Sequence, residues 1–229
     1  MEQYVMGSRN QVDPVTIVQG KYYEKIHEKH VSSYGEFGAA NIRDNITSTF
    51  REALIQLNTP NKSNNMLLVG KVQSGKTSNL ELFTALAFDN GFNLVIIYGG
   101  YDSTLLSQTT NRFKKTFDIP NDTDYSDDTP VVFSSDDSAQ LLTVDDEIIE
   151  DLLDADKPIF LISMKRPAAM NKVNDLLARI DKSNLNAFII DDEGDQASLN
   201  TKKNKALDAS ATYASIVSMK NLLSDPLYL

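Results

Sequence analysis

The chain of 229 residues contains no cysteine and only two histidines. Without cysteine there is neither a disulfide framework nor a thiolate metal site, and His27 and His30 alone do not make a zinc centre. Neither histidine has an identifiable partner nucleophile, so a Ser-His-Asp hydrolytic arrangement finds no support. No run approaches the ~20 apolar residues needed to cross a bilayer. The first residues lack the basic, hydrophobic and small-residue sections of a secretory leader. A cytoplasmic protein with no membrane partner is the expectation. Positive charge is also missing over a long stretch: Asp118 to Asp156 holds 14 of the 32 acidic residues and none of the 22 Lys and Arg. The net charge of -10 is therefore a local property, because the rest of the chain sets 18 acids against those 22 bases. A mildly basic nucleic-acid face stays open outside this tract. The tract itself reads as a solvated acidic insertion near 118–156, since carboxylates without a defined geometry repel one another.

What is present points elsewhere. Gly70-Lys71-Val72-Gln73-Ser74-Gly75-Lys76-Thr77 fits G-x-x-x-x-G-K-[ST]. Met66 to Val69 before it reads as a buried strand, and Leu80, Phe83, Leu86 and Ala87 after it recur at helical spacing until Asn90-Gly91. A glycine-rich turn between strand and helix can aim backbone amides at phosphate, and the helix adds its positive end. Gly70 and Gly75 are the conformational points of such a loop. Gln73 and Ser74 must turn without a glycine's freedom. Lys76 suits the β- and γ-phosphates of ATP, and the Thr77 hydroxyl suits Mg2+.

A complementary acidic segment comes 116 residues after Lys76, where Phe188-Ile189-Ile190 runs into Asp191-Asp192-Glu193-Gly194-Asp195-Gln196. Asp192 is the candidate to hold Mg2+ through water, and Glu193 to position or deprotonate the attacking water. Asp191 is the alternative metal-directed residue, because consecutive strand residues point in opposite directions. Asp195 and Gln196 are candidates for linking this site to a movable neighbour.

Strand and helix signals alternate through the same region. Leu94–Tyr98, Val131–Phe133, Pro158–Ile162 and Ala187–Ile190 are strand candidates. Leu80–Phe88, Leu105–Phe117, Asp145–Leu153 and Ala168–Ile180 are helix candidates. Continuous apolar strands between amphipathic helices predict an α/β fold, a mostly parallel sheet sandwiched by helices, with chemistry at its carboxyl edge. Upstream, residues 1–35 have no persistent period. Phe37, Ile46, Phe50, Leu54 and Leu57 then share a helical face that ends at Thr59-Pro60. Tyr213–Leu223 predicts a last helix, and Asp225 to Leu229 resembles the entrance to another element.

The ordered set of motifs over residues 66–198 resembles the N-terminal motor lobe of superfamily-2 helicases and translocases. More closely, it resembles the Z1 domain family of P-loop proteins, described as putative endonucleases and associated with bacterial DNA-processing or defence systems. The resemblance rests on Gly70 to Thr77, on Gly99 to Phe113, and on Ile190 to Ser198. It implies a P-loop NTPase with a RecA-like fold: residues 1–62 as a mainly helical N-terminal extension, and 63–229 as an incomplete or first RecA-like ATPase domain. By the same resemblance Gly70, Gly75, Lys76 and Thr77 bind ATP and Mg2+, while Asp192 and Glu193 form the second ATPase motif.

The Gly99 to Arg112 segment then corresponds to a region that faces nucleic acid, with Ser103, Thr104, Gln108 and Arg112 as contacts to DNA backbone. Lys165-Arg166-Pro167 offers either a positive contact or a solvated turn. Motors of this kind close ATP between two lobes, the second supplying arginines; this length has room for one, so the other is expected elsewhere in a longer chain. No Glu-x-Lys nuclease signature follows an acidic pair, so any cutting residues would belong to a further nuclease domain or subunit. The expected activity is Mg2+-dependent ATP hydrolysis. A DNA endonuclease component and a noncatalytic nucleotide-sensing module are the alternatives.

Overall fold

The computed structural model describes residues 4–6, 13–59, 65–67, 76–120, 128–135, 144–192, 210–223 and 226–229. Strands β1 (Tyr4–Met6) and β2 (Asp13–Val15) form an antiparallel pair, followed by helices α1 (Lys21–Leu57) and α2 (Lys76–Asp89). Then come β3 (Leu94–Tyr98), α3 (Ser103–Thr116), β4 (Val131–Ser134), α4 (Asp146–Asp154), β5 (Ile159–Ser163), α5 (Pro167–Arg179), β6 (Ala187–Asp191), α6 (Ala211–Leu222) and β7 (Leu227–Tyr228). The chain divides into two compact units, one running to Phe92 and one from Asn93 to Tyr228.

In the first unit α1 begins at Lys21, well before the helix predicted from Phe37. Tyr22, Ile26 and His30, spaced by four, are buried along its first part. The polar histidine and the break at Gly35 (φ 71°, ψ 168°) obscure that period in the sequence. Gly35 occupies a backbone region open in practice only to glycine, and it divides α1 into two helical segments. Beyond it Ile46 and Phe50 are buried as expected, but Phe37 is 83% exposed. Its ring lies off the face defined by Ala39, Ile46, Phe50 and Ala53.

Helix α2, expected to lie with the sheet, groups with α1 in this unit. Phe50 meets Phe83 edge to face at 5.1 Å, and Tyr34 Oη lies 2.7 Å from Ser78 Oγ. The Asp89 carboxylate accepts from the amides of Gly20, Tyr22 and Tyr23 at 2.9, 3.2 and 2.8 Å, capping α1 from outside. The predicted stop of α2 at Asn90-Gly91 is a Schellman turn, in which Phe92 N donates to Ala87 O and Gly91 N to Phe88 O. Of the strand predicted over Met66–Val69, Met66 and Leu67 have no regular structure and Leu67 is 85% exposed. Positions 68 and 69 lie outside the described residues.

The second unit is a five-stranded, all-parallel sheet in the order β4-β5-β3-β6-β7. Every residue of β3 and β5 is buried, as expected for a sheet covered on both faces. Leu94, Ile96, Tyr98, Ile159, Leu161, Ala187 and Ile189 share one face with side chains of α4, α5 and α6. On the opposite face Phe160 packs against Phe113 and Phe117, at the end of α3, with ring centroids at 5.4 and 5.3 Å.

The acidic stretch is not a separate insertion, since it contains β4 and α4. Asp146, Glu150 and Asp154, spaced by four on α4, each hold one group at the end of α5 or just after it. Arg179 donates to both oxygens of Asp146, Asp181 N to Glu150, and Asn184 Nδ2 to Asp154. Among the described residues no helix is long and apolar enough to cross a membrane.

Candidate functional site

The connections out of the sheet diverge at β3. Helix α3 leaves β3 for the Phe160 face, whereas α5 after β5 and α6 after β6 lie on the other face. In a parallel sheet such a divergence opens a crevice at the carboxyl ends of the strands, where ligands bind. The residues at that edge are Tyr98 to Asp102 after β3, Ser163 to Arg166 after β5, and Asp191 and Asp192 at the end of β6.

These three exits are tied together. Gly99 N donates to Ser163 O at 3.1 Å and Lys165 N to Gly100 O at 2.9 Å, while Arg166 Nε donates to Tyr101 O at 2.6 Å. The turn at Gly100 has φ +72°, and a Cβ there would stand 2.4 Å from Leu105 Cβ, so both backbone and space require glycine at this position. Asp102 then caps α3, accepting from Leu105 N at 2.9 Å. Asp192 N donates to Tyr98 O at 3.1 Å, carrying the β3–β6 pairing past the end of the ladder.

The centre of the edge is a buried ion pair. Lys165 Nζ lies 2.7 Å from Asp191 Oδ1, the two side chains being 1% and 5% exposed. The approach is a close charge contact without hydrogen-bond direction. The same ammonium donates to Asp192 O. The other Asp191 oxygen accepts from Tyr228 Oη of β7 at 2.5 Å. Burial, and then the Asp191 charge, push the Tyr228 hydroxyl far above its ordinary value, which keeps it a donor. Tyr98 is raised for the same reasons and donates to Met219 Sδ. Lys220 stands 3.7 Å from the centroid of the Tyr228 ring, and burial lowers its pKa while Asp191 opposes the shift.

This arrangement bears on the choice between the two aspartates. Asp191 is held by Lys165 and Tyr228, whereas Asp192 is half-buried and its carboxylate has no partner among the described residues. A carboxylate so placed suits Mg2+, which takes few protein ligands and completes its shell with water and phosphate oxygens. Among the described residues no three His, Asp or Glu side chains converge as a metal cage.

The other expected residues fall in different places. Lys76, exposed, and Thr77, half-buried, are the first two residues of α2 in the first unit. Gly70, Gln73, Ser74 and Gly75 lie outside the described residues, as do Glu193, Asp195 and Gln196. Ser103, Thr104 and Gln108 are exposed on α3 and Arg112 is half-buried, with Thr104, Gln108 and Arg112 on one helical face at successive steps of four.

Lys165 is the residue the sequence reading undervalued: it is neither a solvated turn nor an exposed positive contact. Its position just past the apolar run of β5, at the same edge as the acidic pair, was the available signal. No family model matches the chain, and no curated protein or solved structure matches it.

Proposed function

We propose that this chain is the ATP-binding and ATP-hydrolysing first lobe, RecA-like and Mg2+-dependent, of a helicase-like DNA-processing protein of the Z1 kind. The observation that carries the reading is the coincidence of a G-x-x-x-x-G-K-T sequence whose Lys76 opens α2 with a parallel sheet whose acidic strand end leaves the Asp192 carboxylate without a partner among the described residues. The amides of Gly70 to Gly75 would cradle the phosphates, and Lys76 would neutralise the β- and γ-oxygens. Thr77 and Asp192 would hold magnesium, which when bound screens charge on the triphosphate. Glu193 would orient the attacking water and accept its proton. Ser103, Thr104, Gln108 and Arg112 on α3 would contact DNA backbone, and Asp195 and Gln196 would relay between the two sites.

The test is single-turnover ATP hydrolysis by the full-length protein, with Lys76→Ala and Glu193→Gln beside wild type. Lys76→Ala is expected to abolish nucleotide binding. Glu193→Gln is expected to retain binding and to lower turnover by about a hundredfold or more. Undiminished hydrolysis in both variants, with contaminating ATPase excluded, would contradict the assignment. Nucleotide binding without turnover in wild type would favour a sensing module, and strand scission independent of Lys76 would favour a nuclease.

A further inference from the structure

The strands β5 and β6 are not neighbours, because β3 runs between them. Lys165 nevertheless reaches from the exit of β5 to the exit of β6. Its backbone amide is fixed on Gly100 O above the end of β3, and its ammonium continues to Asp191 and to Asp192 O. A lysine buried to 1% exposure is costly unless its charge is met, and here one carboxylate and one carbonyl meet it. Tyr228 occupies the remaining Asp191 oxygen, so this aspartate is filled on both sides. The direction of the Asp192 backbone is thereby set by two bonds of opposite polarity: its amide donates to Tyr98 O and its carbonyl accepts from Lys165.

From this geometry we infer that Lys165 is a positioning residue for the proposed ATPase, a strut that fixes the Asp192 turn and joins it to the Gly99–Asp102 loop leading into α3. The inference rests on the reading of Asp192 as a magnesium-directed residue. Two consequences separate it from a merely structural role. Among the described residues the partners of Lys165 are Gly100 O, Asp191 and Asp192 O, on the metal-directed side of the proposed site, so its loss should spare nucleotide affinity while lowering turnover and metal affinity. It also spans the β3 and β6 exits, so its loss should loosen both of them in the protein without any ligand.

The experiment uses the full-length protein with Lys165→Met, and with Lys165→Met/Asp191→Asn, which removes both charges and so avoids stranding a buried carboxylate. Lys165→Arg is the conservative control. Three quantities are read: the Kd of a fluorescent ATP analogue, the kcat with its Mg2+ half-saturation, and amide exchange without ligand. In the double variant the analogue Kd is expected to stay within about twofold. The kcat should fall and the Mg2+ half-saturation rise, each by about tenfold or more, as for other groups that orient a metal ligand. Exchange at the Asp192 amide and across Gly99–Asp102 should quicken, and Lys165→Arg should recover part of each change.

An unchanged kcat and Mg2+ dependence in the folded double variant, beside a wild-type activity that Lys76→Ala abolishes, would overturn the inference alone. A weakened analogue Kd with kcat preserved would overturn it as well. Absence of any Lys76-dependent turnover in wild type would overturn the ATPase reading, and the inference with it.

Discussion

At the scale of single residues, Asp89 shows how a side chain remote in sequence decides where a helix begins. The first turn of α1 has no side-chain cap of its own, since Gly20 stands at the N-cap. Two carboxylate oxygens from the end of α2 accept three amides there, and a Cβ on residue 20 would stand 2.7 Å from Asp89 Oδ1. Asp89→Ala should therefore cost about 1–2 kcal/mol, measured by urea unfolding. Burial raises the Asp89 pKa above its ordinary value, against the lowering effect of the three amide bonds. A carboxyl raised in the folded state contributes most below its unfolded value of 3.8, and that contribution is lost as pH rises through the folded value. The stability of wild type relative to Asp89→Asn should thus increase as pH falls from 7 toward 4; a flat difference would refute it. Nothing near Lys21 announces this cap, which is why the start of α1 was illegible locally, whereas the stop of α2 was legible because Asn90-Gly91 terminates it with its own atoms.

Among elements, legibility followed how far each one's stability is local. The strands β3, β5 and β6 are continuous apolar runs, and they form within a residue of where the sequence put them. The charge of Asp118 to Asp156 points to a solvated insertion, whereas the strand and helix signals inside it, Val131–Phe133 and Asp145–Leu153, are the ones that hold: Val131, Phe133, Ile149, Leu152 and Leu153 belong to the core. Its acids at a spacing of four on α4 meet Arg179, Asp181 N and Asn184, partners that only folding supplies. Helix α1 is the harder case, because Gly35 interrupts the phase between its two segments and Phe37 mimics a core residue. Gly35→Ala should cost about 1–3 kcal/mol, since alanine must carry the strain of that backbone although nothing lies within 4 Å of the added Cβ. Phe37→Ser, at a residue 83% exposed, should change stability by no more than about 0.5 kcal/mol. Thermal unfolding of the two variants would decide it, and the reverse order of effects would mean that Phe37 and not Gly35 anchors the helix.

For the whole molecule, the distribution of charge matters more than its sum. The net charge of -10 would repel DNA if spread evenly, but 14 of the 32 acids fall between Asp118 and Asp156, five of those 14 on α4. The face of α3 that carries Thr104, Gln108 and Arg112 holds no acid at those positions, and Lys114 and Lys115 follow in its last turn. A duplex bound along this face would meet the positive charge of Arg112, Lys114 and Lys115, screened beyond about 8 Å at physiological salt. Binding of DNA by the full-length protein should then weaken steeply with salt, because each phosphate neutralised releases counterions. Arg112→Ala should weaken binding to a similar degree for every sequence and reduce the slope of log K against log salt by about one. Gln108→Ala, which removes a hydrogen-bonding group and no charge, should weaken binding with the slope unchanged. Equal slopes in wild type and Arg112→Ala would take the arginine off the DNA. An unaltered affinity in both variants would move the nucleic-acid contact away from α3 altogether, leaving Gly99–Asp102 as a loop that serves the acidic turn alone.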